Sequence, residues 1–197
     1  ELVSTRGYEA TTVEAIAQRA GVSVRTFHNY FPGKAAALAN LAADLVEEYH
    51  DELRSQPDGL SCADALREAW RAMLARYRDD IAVLSALVDA VETNPDLRRY
   101  LQDHHPQVGV KGVEEISRRL GLDPATSVVP HVITEITFTI AVSVIRLHTS
   151  PGFAGREHDA VLDEAFSALP LLMAPAHTHP DRSHTAARDL IDPFPTD

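Results

Sequence analysis

The stretch TTVEAIAQRAGVSVRTFHNYFPGK, residues 11–34, decides how this chain is read. Val13, Ile16, Ala17 and Ala20 recur at i, i+3, i+4 and i+7, one apolar face of a short helix. Ahead of them Thr11-Thr12-Val13-Glu14 fits a capping box, in which the Thr11 hydroxyl accepts from the Glu14 amide and the Glu14 side chain reaches back. Gly21 is the expected stop, because glycine takes a left-handed turn without steric cost. Ser23 is placed to cap the next helix, which carries Phe27 and Phe31 on its inner face at i, i+4. Pro32-Gly33 breaks that helix, and Lys34 opens a long third one expected to reach about Arg54. Two short helices joined by a tight glycine turn make a helix-turn-helix. Ile16, Ala17, Val22, Phe27 and Phe31 hold the angle between them, which leaves Val24, Arg25, His28 and Asn29 facing outward. Arg and Asn carry forked groups that match guanine and adenine edges. Tyr30 and Lys34 flank that face within reach of phosphates, and the helix start at Lys34 adds free amides.

The rest of the chain reads as all-α. Gln56-Pro57-Asp58-Gly59 is a linker, and helices are expected over Ser61–Tyr77, Ile81–Glu92, Asn94–His104, Pro106–Leu120, a long apolar segment ending near Thr149, and Gly155–Met173. The Ile81–Glu92 segment is apolar almost all round and should be buried. Asp123-Pro124 reads as a cap and first turn, with Pro130 able to delay the helix that follows. The β-branched runs Val128–Val132 and Thr134–Val144 lack turn residues, so helix is favoured over strand. Beyond Pro175 the chain is rich in Pro, His, Asp and Thr and is expected to be disordered. The expected organisation is a DNA-binding domain over 1–45, a larger domain over 46–174 and a tail over 175–197. The chain opens at Glu1 in what reads as mid-helix, so residues upstream are expected.

Charge is unevenly placed. The formal net charge is −11 over 197 residues. Residues 1–34 hold four basic and three acidic groups, whereas the remaining 163 hold 14 basic and 26 acidic. Affinity for nucleic acid depends on the charge facing phosphates, so the acidic bulk repels DNA from every face but the first. A single cysteine, Cys62, excludes an intrachain disulfide and fits a reducing cytoplasm. No stretch approaches ~18 uninterrupted apolar residues, so no membrane segment is indicated.

Gly7-Tyr8-Glu9-Ala10-Thr11-Thr12-Val13-Glu14-Ala15-Ile16-Ala17 and Ala20-Gly21-Val22-Ser23-Val24-Arg25-Thr26-Phe27-His28-Asn29-Tyr30-Phe31-Pro32-Gly33-Lys34 resemble the signature of the TetR (tetracycline-repressor) family. The resemblance covers about residues 2–45. It implies a three-helix DNA-binding domain on a helical effector-binding and dimerisation domain. By position, Thr12 falls where the family touches the DNA backbone. Val24, Arg25 and Thr26, following the cap Ser23, fall in its base-reading stretch. His28 and Tyr30 match contacts to bases or phosphate, Lys34 matches a phosphate lysine, and Asn29 shares their face. Val24 departs from the usual polar residue, Gly33 replaces a Ser cap, and Ala35-Ala36 replace acidic residues.

The family binds small apolar or amphipathic effectors between the helices of the larger domain. Trp70, Met73, Tyr77, Tyr100 and Phe138 are the side chains expected to line such a cavity, with His104 and Thr134 among the polar groups expected to converge on a ligand, alongside His105, His131 and Glu135. In the family the last two long helices form a four-helix seam with a partner. Val144, Ile145, His148, Val161, Leu162, Phe166 and Leu169 are the expected homodimer contacts. The partners implied are a palindromic double-stranded DNA operator, a small-molecule effector and a second copy of the chain.

Other chemistries find little support. His104-His105 and His177-x-His179 lack ligands at metal spacing, so no metal and no other cofactor is expected. There is no Gly-x-Ser-x-Gly, no phosphate-cradling glycine loop and no evident base for Cys62, so no enzyme is expected. The competing reading is an all-helical small-molecule binding or interaction protein that does not bind DNA.

Overall fold

A computed structural model describes residues 1–153 and 155–169. Ten α-helices lie among them: α1 (Leu2–Arg6), α2 (Val13–Arg19), α3 (Val24–Tyr30), α4 (Lys34–Ser55), α5 (Cys62–Arg76), α6 (Ile81–Thr93), α7 (Pro95–His104), α8 (Gln107–Leu120), α9 (Val129–His148) and α10 (His158–Ala168). Short 3₁₀ turns at Arg78–Asp80 and Pro151–Phe153 join α5 to α6 and follow α9. No strand occurs among the described residues. The expected tail beyond Pro175 lies outside them. Glu1–Phe166 form one compact unit, and a second unit, Ser167–Asp197, is described only as far as Leu169.

The helix starts follow from capping chemistry. Ser23, Ser61 and Asn94 each accept a backbone N–H from the residue three positions on, which satisfies one orphan donor of α3, α5 and α7. Pro95 occupies the first turn of α7, where its missing N–H costs nothing. The cap of α2 sits one residue later than the sequence suggests. Thr12, not Thr11, accepts from the Ala15 amide at 3.2 Å. Thr11 is buried instead, and its hydroxyl donates to the Gly7 carbonyl at 2.8 Å. Two adjacent threonines satisfy the same spacing rule. The tertiary site, which has room for one of them inside, selects between them.

Asp123-Pro124 starts no helix. The Asp123 carboxylate accepts from the Ala125 amide at 2.9 Å, an Asx turn, and α9 begins only at Val129 with Pro130 in its first turn. α9 is 20 residues long with a mean hydropathy of 1.3 over its most apolar window, long and apolar enough to cross a membrane. Here it packs against α6 and α8.

α4 is the spine, packed against α5, α7 and α8. Its C-terminal carbonyls at Leu53 and Gln56 each accept from the Arg119 guanidinium of α8 at 2.8 Å. Glu115 balances that buried charge, accepting from Arg119 Nε at 2.8 Å. The Arg118 and Arg119 guanidiniums hold the Glu115 carboxyl below its ordinary range. Near its start, α4 contributes Leu38 and Ala39 to a cluster with Leu87 and Ala90 of α6 and Leu97 of α7. Val3 and Tyr8, from α1 and the turn after it, pack on the same cluster. The first 45 residues therefore share core with the helices that follow.

Candidate nucleic-acid interface and effector cavity

The helix-turn-helix is built by α2 and α3. Gly21 takes φ +69° between them, a left-handed conformation that disfavours any side chain. Ala17 and Phe27 are buried under the pair, and Phe31 packs on Phe27 with ring centroids 5.5 Å apart. With Phe27 at 5% exposure, the opposite face of α3 has to look outward. Ser23, Val24, Arg25, His28, Asn29 and Tyr30 are all exposed, Tyr30 at 76%, while Thr26 is half-buried and shares a 2.8 Å hydroxyl contact with Ser23. Thr12 is exposed at the start of α2. Phe27 stands edge-on to the His28 ring at 5.6 Å, which steadies that side chain on the outer face. Among the described residues Arg25 and Arg6 have no carboxylate partner, whereas Arg19 is paired with Glu1 at 2.5 Å.

Lys34 is more tightly held than a free phosphate ligand would be. Its ammonium donates to the carbonyls of Tyr8 at 2.8 Å and Glu9 at 3.3 Å and lies 4.2 Å above the Tyr8 ring. Two of its three N–H donors thus fasten the start of α4 to the turn after α1, and one remains. That turn is tied again by the Asn94 side chain, which donates to Glu9 Oε1 at 3.0 Å.

A cavity of about 250 Å³ lies between α4, α5, α6 and α9. Trp70, Met73, Tyr77 and Phe138 line it, as four of the seven effector-binding residues expected from sequence. The other three lie elsewhere. Tyr100 is half-buried against the cluster of α4, α6 and α7 and stacks at 3.9 Å on the exposed His104. Thr134 is buried against Gly112 and His50, with its hydroxyl donating to the Pro130 carbonyl at 2.9 Å. His131 and Glu135 lie on an open cleft beside α8 rather than in the cavity.

Sequence reasoning missed the α6 wall of the cavity, formed by Leu84, Leu87, Val88 and Val91. The signal was present: a helix apolar all round buries one side in the core and turns the other to a void. Only Ile81, Ser85, Leu87 and Ala90 of α6 are buried outright. The cavity floor is aromatic, with Trp70 stacked on Tyr49 at 4.1 Å and Phe138 edge-on to Trp70 at 5.6 Å. At its mouth the Tyr77 hydroxyl donates to Glu48 Oε2 at 2.6 Å, and Glu92 is paired with Arg146.

The protomer itself buries most of the expected dimer contacts. Val144, Ile145, Val161, Leu162 and Phe166 are core residues, and His148 stacks on the buried His158 at 3.9 Å. Leu169 is half-buried. An apolar stripe serves an inner core and an outer seam equally well, and here the first use takes these residues. The exposed apolar side of α9 carries Val129, Val132 and Ile136 instead.

A buried apolar anchor under a short outward-facing helix, followed by helices that enclose an apolar cavity, is an all-helical helix-turn-helix architecture, and residues 1–41 match the N-terminal model of the bacterial regulatory proteins of the TetR family. The chain is similar to the HTH-type transcriptional regulator TcmR of Streptomyces glaucescens, 33% identical over 130 residues, which are 62% of this chain and 57% of that protein. The match thus spans little more than half of the relative's length. Two solved structures from Thermus thermophilus share the fold. One is FadR, a TetR-family repressor in complex with lauroyl-CoA, at TM-score 0.59 and 21% identity, covering 92% of this chain and 94% of that one. The other is PfmR, at TM-score 0.53 and 17% identity, covering 85% and 91%. A TetR-family regulator from Marinobacter aquaeolei aligns at TM-score 0.54 and 16% identity, covering 85% and 88%.

Proposed function

We propose that the chain is a transcriptional regulator, a repressor that binds a palindromic operator as a homodimer and is released by a small-molecule effector. The observation that carries this reading is the two-sided α3: Phe27 buried beneath it, and Arg25, His28, Asn29 and Tyr30 exposed above. That face suits the major groove, where Arg25 can pair bidentately with guanine and Asn29 with adenine. Val24, 37% exposed, would meet a thymine methyl. Thr12, Tyr30 and the remaining Lys34 N–H would take phosphates on either side. In this reading residues 1–45 are the DNA-binding part and 46–174 the effector and dimerisation part. Val129, Val132 and Ile136 of α9 are the apolar surface offered to a partner. Two recognition helices must then sit about 34–36 Å apart, one turn of B-DNA. A DNA-binding regulator of this kind acts in the cytoplasm.

Leu87 supports a route from effector to reader. It lines the cavity and also packs in the cluster that holds Leu38 and Ala39 of α4, against which Val3 and Tyr8 rest. An effector that moves Leu87 outward displaces the base on which the reader is seated. A repressor released ~100-fold needs only ~2.7 kcal/mol of differential affinity between its two states.

The test is a salt-dependent mobility shift on the DNA upstream of the coding sequence. Retarded complexes whose affinity falls steeply with salt support the reading. Binding at no salt concentration would leave a small-molecule binding protein without DNA affinity.

A further inference from the structure

The cavity between α4, α5, α6 and α9 has a charge character that narrows what it can hold. Thirteen of its fifteen lining residues are apolar, and the two exceptions are Tyr77 and Glu92. Among the described residues no Lys, Arg or His lines it. The nearest cations are already committed: Arg146 to Asp89 and Glu92, and Arg76 to Glu48 and Glu52. A carboxylate or phosphate brought inside would lose its hydration, face Glu92, and find no free positive charge. An ammonium would have to compete with Arg146 for Glu92. Trp70 contributes its ring to the wall, while its buried indole N–H lies on the side of the Tyr49 hydroxyl, outside the cavity lining.

We propose that the effector cavity selects an uncharged, mainly apolar molecule and rejects the same molecule as a carboxylate or an ammonium. This rests on the regulator reading only for the word effector. The size agrees with a compact ligand. A dry cavity of about 150 Å³ takes a benzene, so about 250 Å³ takes a molecule of one to two rings or a medium alkyl chain. The lauroyl-CoA held by the T. thermophilus relative is of the opposite kind, an acyl chain on a polyanion.

Trp70 is the only tryptophan in the chain, so its emission reports on this cavity alone. The experiment titrates the full chain, without DNA, with 1-octanol, octanoate and octylamine, which share a chain and absorb nothing at tryptophan wavelengths. Octanol is expected to shift Trp70 emission and raise the thermal midpoint, with octanoate and octylamine weaker by on the order of tenfold or more. Val88→Phe, which fills the cavity from α6, is expected to abolish the octanol response in a folded protein. Octanoate or octylamine binding as tightly as octanol would overturn the proposal, as would an octanol response that survives Val88→Phe or no response to any of the three. The same ligands added to a preformed operator complex separate the two readings. A Trp70 response without any DNA complex sinks the regulator and leaves the cavity assignment standing.

Discussion

His50 sets a pH limit on the stability of this protein. It lies in α4 at 1% exposure, with both ring nitrogens buried and, among the described residues, without partners, edge-on to Phe138 at 6.2 Å. Burial pulls its pKa down from 6.5 to about 4, against the opposing pull of Glu47. Because the folded value is the lower one, the unfolded chain takes up a proton first as pH falls through about 6.5. Stability is therefore complete above that pH and is lost progressively down to about pH 4. At about 1.4 kcal/mol per pKa unit, the full loss is roughly 3 kcal/mol, and some 2 kcal/mol of it is gone by about pH 5. Urea unfolding at about pH 7.5 and about pH 5 measures this. Other titrating groups, including His158, contribute to the same pH dependence, so His50→Leu provides the reference. The loss between the two pH values should be about 2 kcal/mol greater in the wild type than in His50→Leu. Equal losses would show that His50 ionises freely in the folded state and refute its burial as a neutral ring.

Two further substitutions probe the packing that positions the site. Phe27→Ala removes the anchor beneath α3 and should cost about 3–5 kcal/mol, seen as a lowered thermal midpoint together with loss of DNA binding. Gly112→Ala gains about 1 kcal/mol of helix propensity, but its methyl would lie 3.0 Å from His50 Nε2 and 3.2 Å from Thr134 Cγ2. Both neighbours are buried, so overpacking should win and lower the thermal midpoint by about 2–4 °C, whereas a rise would mean that the α4–α8 contact yields freely.

The helical architecture was legible because its signals are local. Asn94-Pro95 announced the start of α7, Pro32-Gly33 the break before α4, and the spacing of Phe27 and Phe31 the buried side of α3. Choices that depend on tertiary space were not legible. Thr11 and Thr12 obey the same capping rule, and only the pocket that buries Thr11 distinguishes them. Val144 and Phe166 have the apolar stripe of a dimer seam, yet the protomer uses them inside. Tyr100 and His104 have the composition of ligand contacts, but α7 packs Tyr100 on the core cluster and leaves His104 exposed, while the aliphatic α6 residues that line the cavity carry no chemical label at all.

In the regulator reading, the outward face of α3 reads DNA. Its most direct test is selection of bound duplexes from a random double-stranded pool with the wild type, followed by affinities of Arg25→Ala and Lys34→Ala for the enriched sequence. The expected enrichment is a palindrome with half-sites one helical turn apart. Arg25→Ala should lose about 1–3 kcal/mol and relax preference at one base position, and Lys34→Ala should weaken all sequences alike. Enrichment of no sequence, or unchanged affinity for both variants, would contradict it.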